Sequence, residues 1–367
     1  MGKTLVVATG SLAAVAAVIG ILVGGEAGQF LLAGLEVGPF LVLAVFAQLG
    51  EKRVWARVLA YAWLALLVLA FCVVVLGLTI STLASVSGGP ALTPRPADVG
   101  RTLLGILGSL LLASTLLFGA VRRQVARLLP INPDSLTHKV ALLFLVFFTV
   151  ISFVQLAILG GQPPLLVKAE GATVEELTGG RSAAGQILDM LYSLGWTLPM
   201  AVVAAGYPVY RSLGGAVARL GFTRPSRRQV LLGLTLAVVL VGVFSGVDQT
   251  VAWIWALLGW PTTNEAAFKK LLGAGLSPVG ALAVGVTAGV GEEAATRGLL
   301  QPRLGMVLPN LAFAAAHAFQ YGPDALISVF LTGMVLAVVR ARSSTTIAAL
   351  VHGTYDFVSI MMEVLGF

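Results

Sequence analysis

Two of the three histidines in this sequence, His317 and His352, stand inside long apolar runs. In such a run an ionised side chain costs at least about 2.5–3.5 kcal/mol at the helix centre and needs a reason to be there. Each histidine has a partner four residues away: Phe313 and His317 in FAAAHAF, His352 and Asp356 in HGTYD. Residues four apart share a helix face. A third motif, GEEAATR, puts Glu293 and Arg297 on one face, where an ion pair offsets part of the burial cost of both. Glu292 is turned about 100° away and lacks that intrahelical partner. It is the carboxylate freest to take up a proton, as a general base must. Glu292, His317, His352 and Asp356 could also offer ligands to zinc with one position open for water, but the chain has no His-Glu-x-x-His helix.

Composition dictates the elements that must hold these residues. With 58% hydrophobic and 11% charged residues and a mean hydropathy of +0.96, the chain has too little polar surface for a water-soluble globule. The charges gather between continuous apolar runs of about 20 residues, the length that crosses a hydrocarbon core. Continuous runs, unlike alternation, indicate helices rather than a barrel. The expected fold is an all-α bundle of about eleven transmembrane spans, near Thr4 to Gly24, Leu31 to Leu49, Val58 to Thr82, Thr102 to Val121, Val140 to Leu159, Ala184 to Val209, Val230 to Leu257, Ser277 to Leu300, Val307 to Phe319, Ala325 to Val339 and Thr346 to Leu365. The first run is read as a retained helix rather than a cleaved signal, because it is long and another span follows at once.

Basic residues in short loops are held on the cytoplasmic side. With the N-terminus inside, only Arg95, Arg101, Lys168, Arg181, Lys269 and Lys270 of the 23 basic residues fall outside, so the C-terminus is expected outside as well. The net charge of +7 is then a topological bias and an attraction to anionic lipid. Nothing in the sequence reads nucleic acid. The inner ends of the relevant spans lie near Gly305 and Ser343. Measured from these at 1.5 Å per residue, Glu292 is roughly 20 Å deep, His317 roughly 18 Å and His352 roughly 14 Å. Three helices thus bring polar groups to similar levels near mid-membrane, around a hydrated cavity. Gly285, Gly289 and Gly291 permit the close backbone approach its wall requires.

The other intramembrane acids, Glu36, Asp189 and Asp248, read as interfacial groups or as hydrogen-bonding partners of neighbouring helices. Cys72, the single cysteine, is packing, and His138 reads as a solvated or lipid-facing residue in a basic inner loop. The outer loops Gly88 to Arg101 and Gln162 to Ser182 are too short to be domains. The basic stretch Arg211 to Arg228 makes a seam, dividing an N-terminal bundle, 1–215, from a C-terminal core, 216–367.

Taken in order, Glu-Glu-x-x-x-Arg, Phe-x-x-x-His and His-x-x-x-Asp resemble the three motifs of the CPBP or ABI family of intramembrane proteases, whose best-known eukaryotic member is the type II CAAX prenyl endopeptidase. The matched stretch runs from about Gly285 to Phe357. The resemblance implies a glutamate-type peptidase with no metal or other cofactor. Glu292 and His317 would activate water, Glu293 and Arg297 would hold the first motif in shape, His352 with Asp356 would serve the oxyanion, and Phe313 would contact substrate. It implies as partner a membrane-tethered protein or peptide, such as a C-terminal anchor, a lipidated tail or a leader peptide, in a bacterial inner membrane. Asp356 stands where the family often has Asn. An ionised Asp cannot donate to an oxyanion, so it either is held protonated or orients His352, and orientation is the favoured role. The competing reading is a non-enzymatic membrane protein, an immunity factor, scaffold or transporter, that uses the same polar cluster to bind an ion or to hold helices together.

Overall fold

A computed structural model describes residues 24–86 and 96–367. The expected first span, and the part of the first outer loop up to residue 95, lie outside the described residues. All regular structure among the described residues is helical. In chain order the helices are α1 (Gly25–Gly50), α2 (Val54–Val86), α3 (Pro96–Ser114), α4 (Gly119–Val125), α5 (Leu136–Ile158), α6 (Pro164–Gly171), α7 (Val174–Thr178), α8 (Ala183–Ala204), α9 (Leu213–Leu220), α10 (Arg227–Leu258) and α11 (Glu265–Leu272). A long segment follows from α12 (Pro278–Thr287) through π-helical turns at Ala288–Glu292 and Ala294–Leu300 to α13 (Gln301–Leu304). The chain ends with α14 (Val307–His317), α15 (Pro323–Arg342) and α16 (Thr345–Leu365).

Serine and asparagine side chains start many of these helices where the apolar runs begin. Ser135, Ser182, Ser212, Ser226, Asn264, Ser277 and Ser344 each accept a backbone N–H of the first turn, satisfying donors that would otherwise be orphaned. Large apolar side chains far along the spans remain exposed, for example Leu69 at 61%, Val73 at 62%, Leu104 at 69% and Leu231 at 65%. A surface of this kind is stable only against lipid.

Among the described residues, eight helices are long and apolar enough to cross a membrane, or up to nine if a bent pair counts as one span. Ten of the eleven expected spans fall within the described residues: eight coincide with these helices and two take another form. The expected span at Ser277 to Leu300 is the second arm of a pair, Glu265–Gly275 and Pro278–Leu304, bent by 91°. α14 has only 11 residues, which at 1.5 Å per residue reach about 16 Å, roughly half of the hydrocarbon core. These two segments carry Glu292, Glu293, Arg297 and His317, and they spend length and apolarity on presenting polar groups inside the bundle.

Two apolar clusters set the frame. Val45 and Phe46 of α1, Leu64 of α2 and Leu142 of α5 pack with Leu304 and Ala312, joining the N-terminal helices to α13 and α14. Ala237, Leu240 and Phe244 of α10 pack with Leu336 of α15 and with Ile347 and Val351 of α16. The isolated acids are held by neighbours. Glu36 accepts Ser193 Oγ at 3.2 Å, Asp189 pairs with Arg181 at 2.7 Å, and Asp248 accepts Ser328 Oγ. Cys72 packs beside Phe71 and Val75. His138 is not in a loop: it lies in the first turn of α5, half-buried, and its Nδ1 accepts the Asn132 N–H at 2.8 Å.

Candidate active site

The helix bearing the two glutamates meets the helix bearing His352 through bare backbone. A Cβ built on Gly285 would lie 2.5 Å from the Gly353 carbonyl oxygen, one on Gly353 would lie 2.3 Å from the Gly285 oxygen, and one on Gly289 would lie 2.6 Å from the Ala349 oxygen. No side chain fits at any of the three, so α12 and α16 touch at a distance only glycine permits. Gly291 does not share this role, since a Cβ there would meet Leu194 at an ordinary 3.4 Å.

This contact brings the charged residues together. Glu293 is completely buried, and its Oε1 takes both Arg297 Nη1 at 3.1 Å and His352 Nδ1 at 3.0 Å. A carboxylate only accepts, so His352 donates from Nδ1 and turns Nε2 the other way, the orienting arrangement that carboxylate–histidine pairs use at catalytic and metal sites. Nε2 faces Asp356 Oδ2 at 3.4 Å and Glu292 Oε2 at 3.9 Å. The Glu292 side chain is 38% exposed, far more open than Glu293. The expected difference between the two adjacent glutamates is thus present in space: one is locked in an ion pair, the other is open. Both lie at π-helical turns, which are rare and concentrate at functional sites.

Arg297, 2% exposed, is held from several sides. It donates to Thr296 Oγ1 at 2.6 Å, to the Gly333 carbonyl at 2.8 Å and to Asn310 Oδ1 at 3.4 Å, and its guanidinium lies 4.8 Å from the Phe313 ring centre. Asn310 Nδ2 in turn donates to the Phe330 carbonyl at 2.7 Å. The ion pair thereby ties the glutamate helix to α14 and α15 as well as to α16. Phe313 is buried, with its ring 4.6 Å from that of His317 and 6.1 Å from that of His352. His317 Nδ1 lies 2.9 Å from the Phe313 carbonyl oxygen. Because that oxygen only accepts, Nδ1 donates, and in the neutral ring Nε2 keeps a lone pair. Asp356 is within electrostatic range of both Glu292 and His317.

All seven residues singled out from the sequence therefore lie in one cluster, built from the glutamate helix, α14 and α16. Two members were not singled out. Asn310 stands one and two turns before Phe313 and His317 on the same helix, and its amide in an apolar segment was a readable signal. Tyr321, whose ring stacks on that of His317 at 5.8 Å and meets that of Phe268 at a tilt at 4.7 Å, follows the helix end and carried no such signal. Among the described residues, no group of three or more His, Cys, Asp or Glu side chains is arranged to hold a metal ion.

Comparison with known protein families gives a match over part of the chain. Residues 247–358, less than a third of the chain, fit the family described as type II CAAX prenyl endopeptidase Rce1-like. No curated protein and no solved structure matches the chain. The matched segment contains the whole cluster from Glu292 to Asp356, so this part of the integral membrane protein is similar to the Rce1-like, CAAX-protease-type family.

Proposed function

We propose that this chain is a metal-independent endopeptidase that hydrolyses a peptide bond in a membrane-tethered protein. The observation that carries the reading is the orientation of His352. Glu293, itself neutralised by Arg297, holds Nδ1, so that Nε2 faces the open carboxylate Glu292. In the proposed reaction, Glu292 takes a proton from a water whose other hydrogen is accepted by His317 Nε2. The water oxygen bonds to the scissile carbonyl carbon, and the carbonyl π pair moves onto its oxygen. The resulting oxyanion accepts a hydrogen bond from His352 Nε2, doubly protonated among Glu292, Glu293 and Asp356. On collapse the C–N bond breaks, and Glu292 returns its proton to the leaving amine. Preorganised donors and a positioned base of this kind act most strongly where water is excluded.

Asp356, 3.4 Å from His352 Nε2, steadies the imidazolium by its charge and leaves the Nε2 proton to the oxyanion, and Phe313 forms the floor on which the two imidazoles stand. The polar cluster faces a membrane interior, which suits a hydrophobic C-terminal anchor, a lipidated tail or a leader peptide as substrate. The most basic face is the cytoplasmic one, so the N- and C-termini lie inside and outside respectively, and the membrane is a bacterial inner membrane. Residues 1–215 form an added bundle beside the peptidase core, 216–367. The test is processing of membrane proteins in cells carrying the wild-type chain, Glu292→Ala or His317→Ala, with insertion of each variant verified. A protein whose cleavage disappears in both variants is the expected result; unchanged processing would defeat the assignment.

A further inference from the structure

A feature that the glutamates and histidines leave unused is a cavity of about 470 Å³ between α1, α5, α8 and the π-helical segment. One end is apolar, lined by Phe40 and Leu43 of α1 and Phe144 of α5; the other end carries Gln48, Arg211, Arg219 and Arg303. The eight helical steps from Phe40 to Gln48 correspond to about 12 Å of helix, close to the depth of one leaflet of a hydrocarbon core about 30 Å thick.

Charge and hydrogen bonding at the polar end are both incomplete. Arg211 and Arg219 donate only to neutral carbonyls, those of Ala205 and Gly298. Among the described residues no carboxylate pairs with Arg211, Arg219 or Arg303. The acid in the wall, Glu51, is already engaged by Ser135 Oγ at 2.6 Å and the Thr137 N–H at 2.9 Å. Burial and the neighbouring guanidinium groups of Arg303, Arg211 and Arg340 pull Arg219 down to about 10, a sign of uncompensated positive charge. Gln48, 2% exposed, gives its amide hydrogens to the Val203 and Ala204 carbonyls at 2.8 and 3.2 Å, while its Oε1 is buried with no donor. A buried acceptor of this kind carries a real desolvation cost until a donor reaches it.

We propose that this cavity binds one anionic glycerophospholipid with a hydroxylated headgroup, its phosphodiester among Arg211, Arg219 and Arg303, a hydroxyl donating to Gln48 Oε1, and one acyl chain in the slot between Phe40 and Phe144. The apolar slot distinguishes a lipid from a free phosphate, and the orphaned acceptor distinguishes a hydroxylated headgroup from one that carries charge alone. The far wall includes Ala295 and Leu299, which belong to the same helical segment as Arg297, so the bound lipid braces the N-terminal helices against the segment that presents the glutamates.

The test measures binding to the full-length protein purified in a neutral detergent, by native mass spectrometry and by the shift in thermal unfolding. The probes are phosphatidylglycerol, phosphatidylcholine, phosphatidylmethanol and inorganic phosphate. Phosphatidylglycerol is expected to bind and to raise the unfolding temperature, phosphatidylmethanol to bind several-fold more weakly, and phosphatidylcholine and phosphate to have no effect at the same concentration. Arg303 is exposed, so Arg303→Gln keeps the fold. Combined with Arg219→Gln it is expected to weaken phosphatidylglycerol at least tenfold, about 1.4 kcal/mol. Equal responses to phosphatidylglycerol and phosphatidylcholine, a response to phosphate alone, parity of phosphatidylmethanol with phosphatidylglycerol, or undiminished affinity in the double variant would each overturn the proposal. None of these readouts involves proteolysis, so they stand or fall apart from the peptidase reading.

Discussion

Adding one methyl group at position 353 should disable the site without touching any of its polar residues. In Gly353→Ala the new Cβ would sit 2.3 Å from the Gly285 carbonyl oxygen, against 3.4 Å for ordinary contact. In an interior too closely packed to absorb the clash elsewhere, α12 and α16 must part by about 1 Å. The hydrogen bond from His352 to Glu293 crosses this same contact at 3.0 Å, and the parting stretches it to about 4 Å, beyond hydrogen-bonding reach. Misplacing a catalytic group by about 1 Å costs on the order of 10²-fold in rate. Gly291→Ala is the matched control, because its Cβ meets only Leu194 at 3.4 Å. The assay is kcat for cleavage of a membrane-tethered peptide in proteoliposomes, with helicity and unfolding temperature recorded for each variant. The expected result is a roughly 100-fold fall for Gly353→Ala and near wild-type turnover for Gly291→Ala. A folded Gly353→Ala protein of wild-type rate, or equal losses in both variants, would refute the reasoning.

Glu292→Gln should lower the rate by about 10²–10⁴-fold and leave unfolding nearly unchanged, since the side chain is 38% exposed and its nearest charged partner, His352 Nε2, is 3.9 Å away; a matching loss of stability would mean that Glu292 is structural. Arg297→Ala leaves buried Glu293 without its cation and should cost about 3–5 kcal/mol in denaturant unfolding. Asp356→Asn should reduce turnover at least about tenfold if orientation of His352 is its role, whereas preserved or increased turnover would point to donation. The Ser135 hydroxyl and the Thr137 backbone N–H outweigh the opposing effect of burial and hold the Glu51 carboxyl below its ordinary value of 4.5. Its contribution to stability is therefore full above that value and lost as pH falls through the lower, folded-state value, so Glu51→Gln should flatten the acid limb of unfolding temperature against pH. Exhaustive chelation should leave cleavage intact; loss restored by zinc would reverse the metal-independent reading.

Spacing alone made the site legible because the motifs are helical and intramembrane. Four-residue separations put Glu293 beside Arg297 and Phe313 beside His317, and the structure keeps both pairs, at 3.1 Å and 4.6 Å. What spacing could not convey was the partner from another helix. Asp356 is one turn from His352, yet the shortest bond of that imidazole runs to Glu293, 59 positions away in sequence. The glycines hinted at this crossing, and Gly353, its other half, lies between His352 and Asp356 without a periodic pattern to mark it. The short, half-depth form of α14 was hidden for a related reason. Hydropathy counts α14 as a crossing by its apolar residues, but the chain turns at Ala318, because Tyr321 packs on His317 and Pro323 starts the next helix. The basic cavity end was equally hidden, since Gln48, Arg219 and Arg303 come from three distant parts of the chain.

The account turns on a water molecule attacking the peptide bond under the control of Glu292, and isotope transfer tests that step directly. Cleavage of a membrane-tethered peptide in ¹⁸O-labelled water, with the wild-type protein and chelator present, should place one ¹⁸O atom in each new C-terminal carboxylate during a single turnover, with no covalent intermediate trapped. The same experiment with Glu292→Gln should give no labelled product on that timescale. Label entering at the wild-type rate in Glu292→Gln, or an acyl-enzyme accumulating in the wild type, would contradict the account.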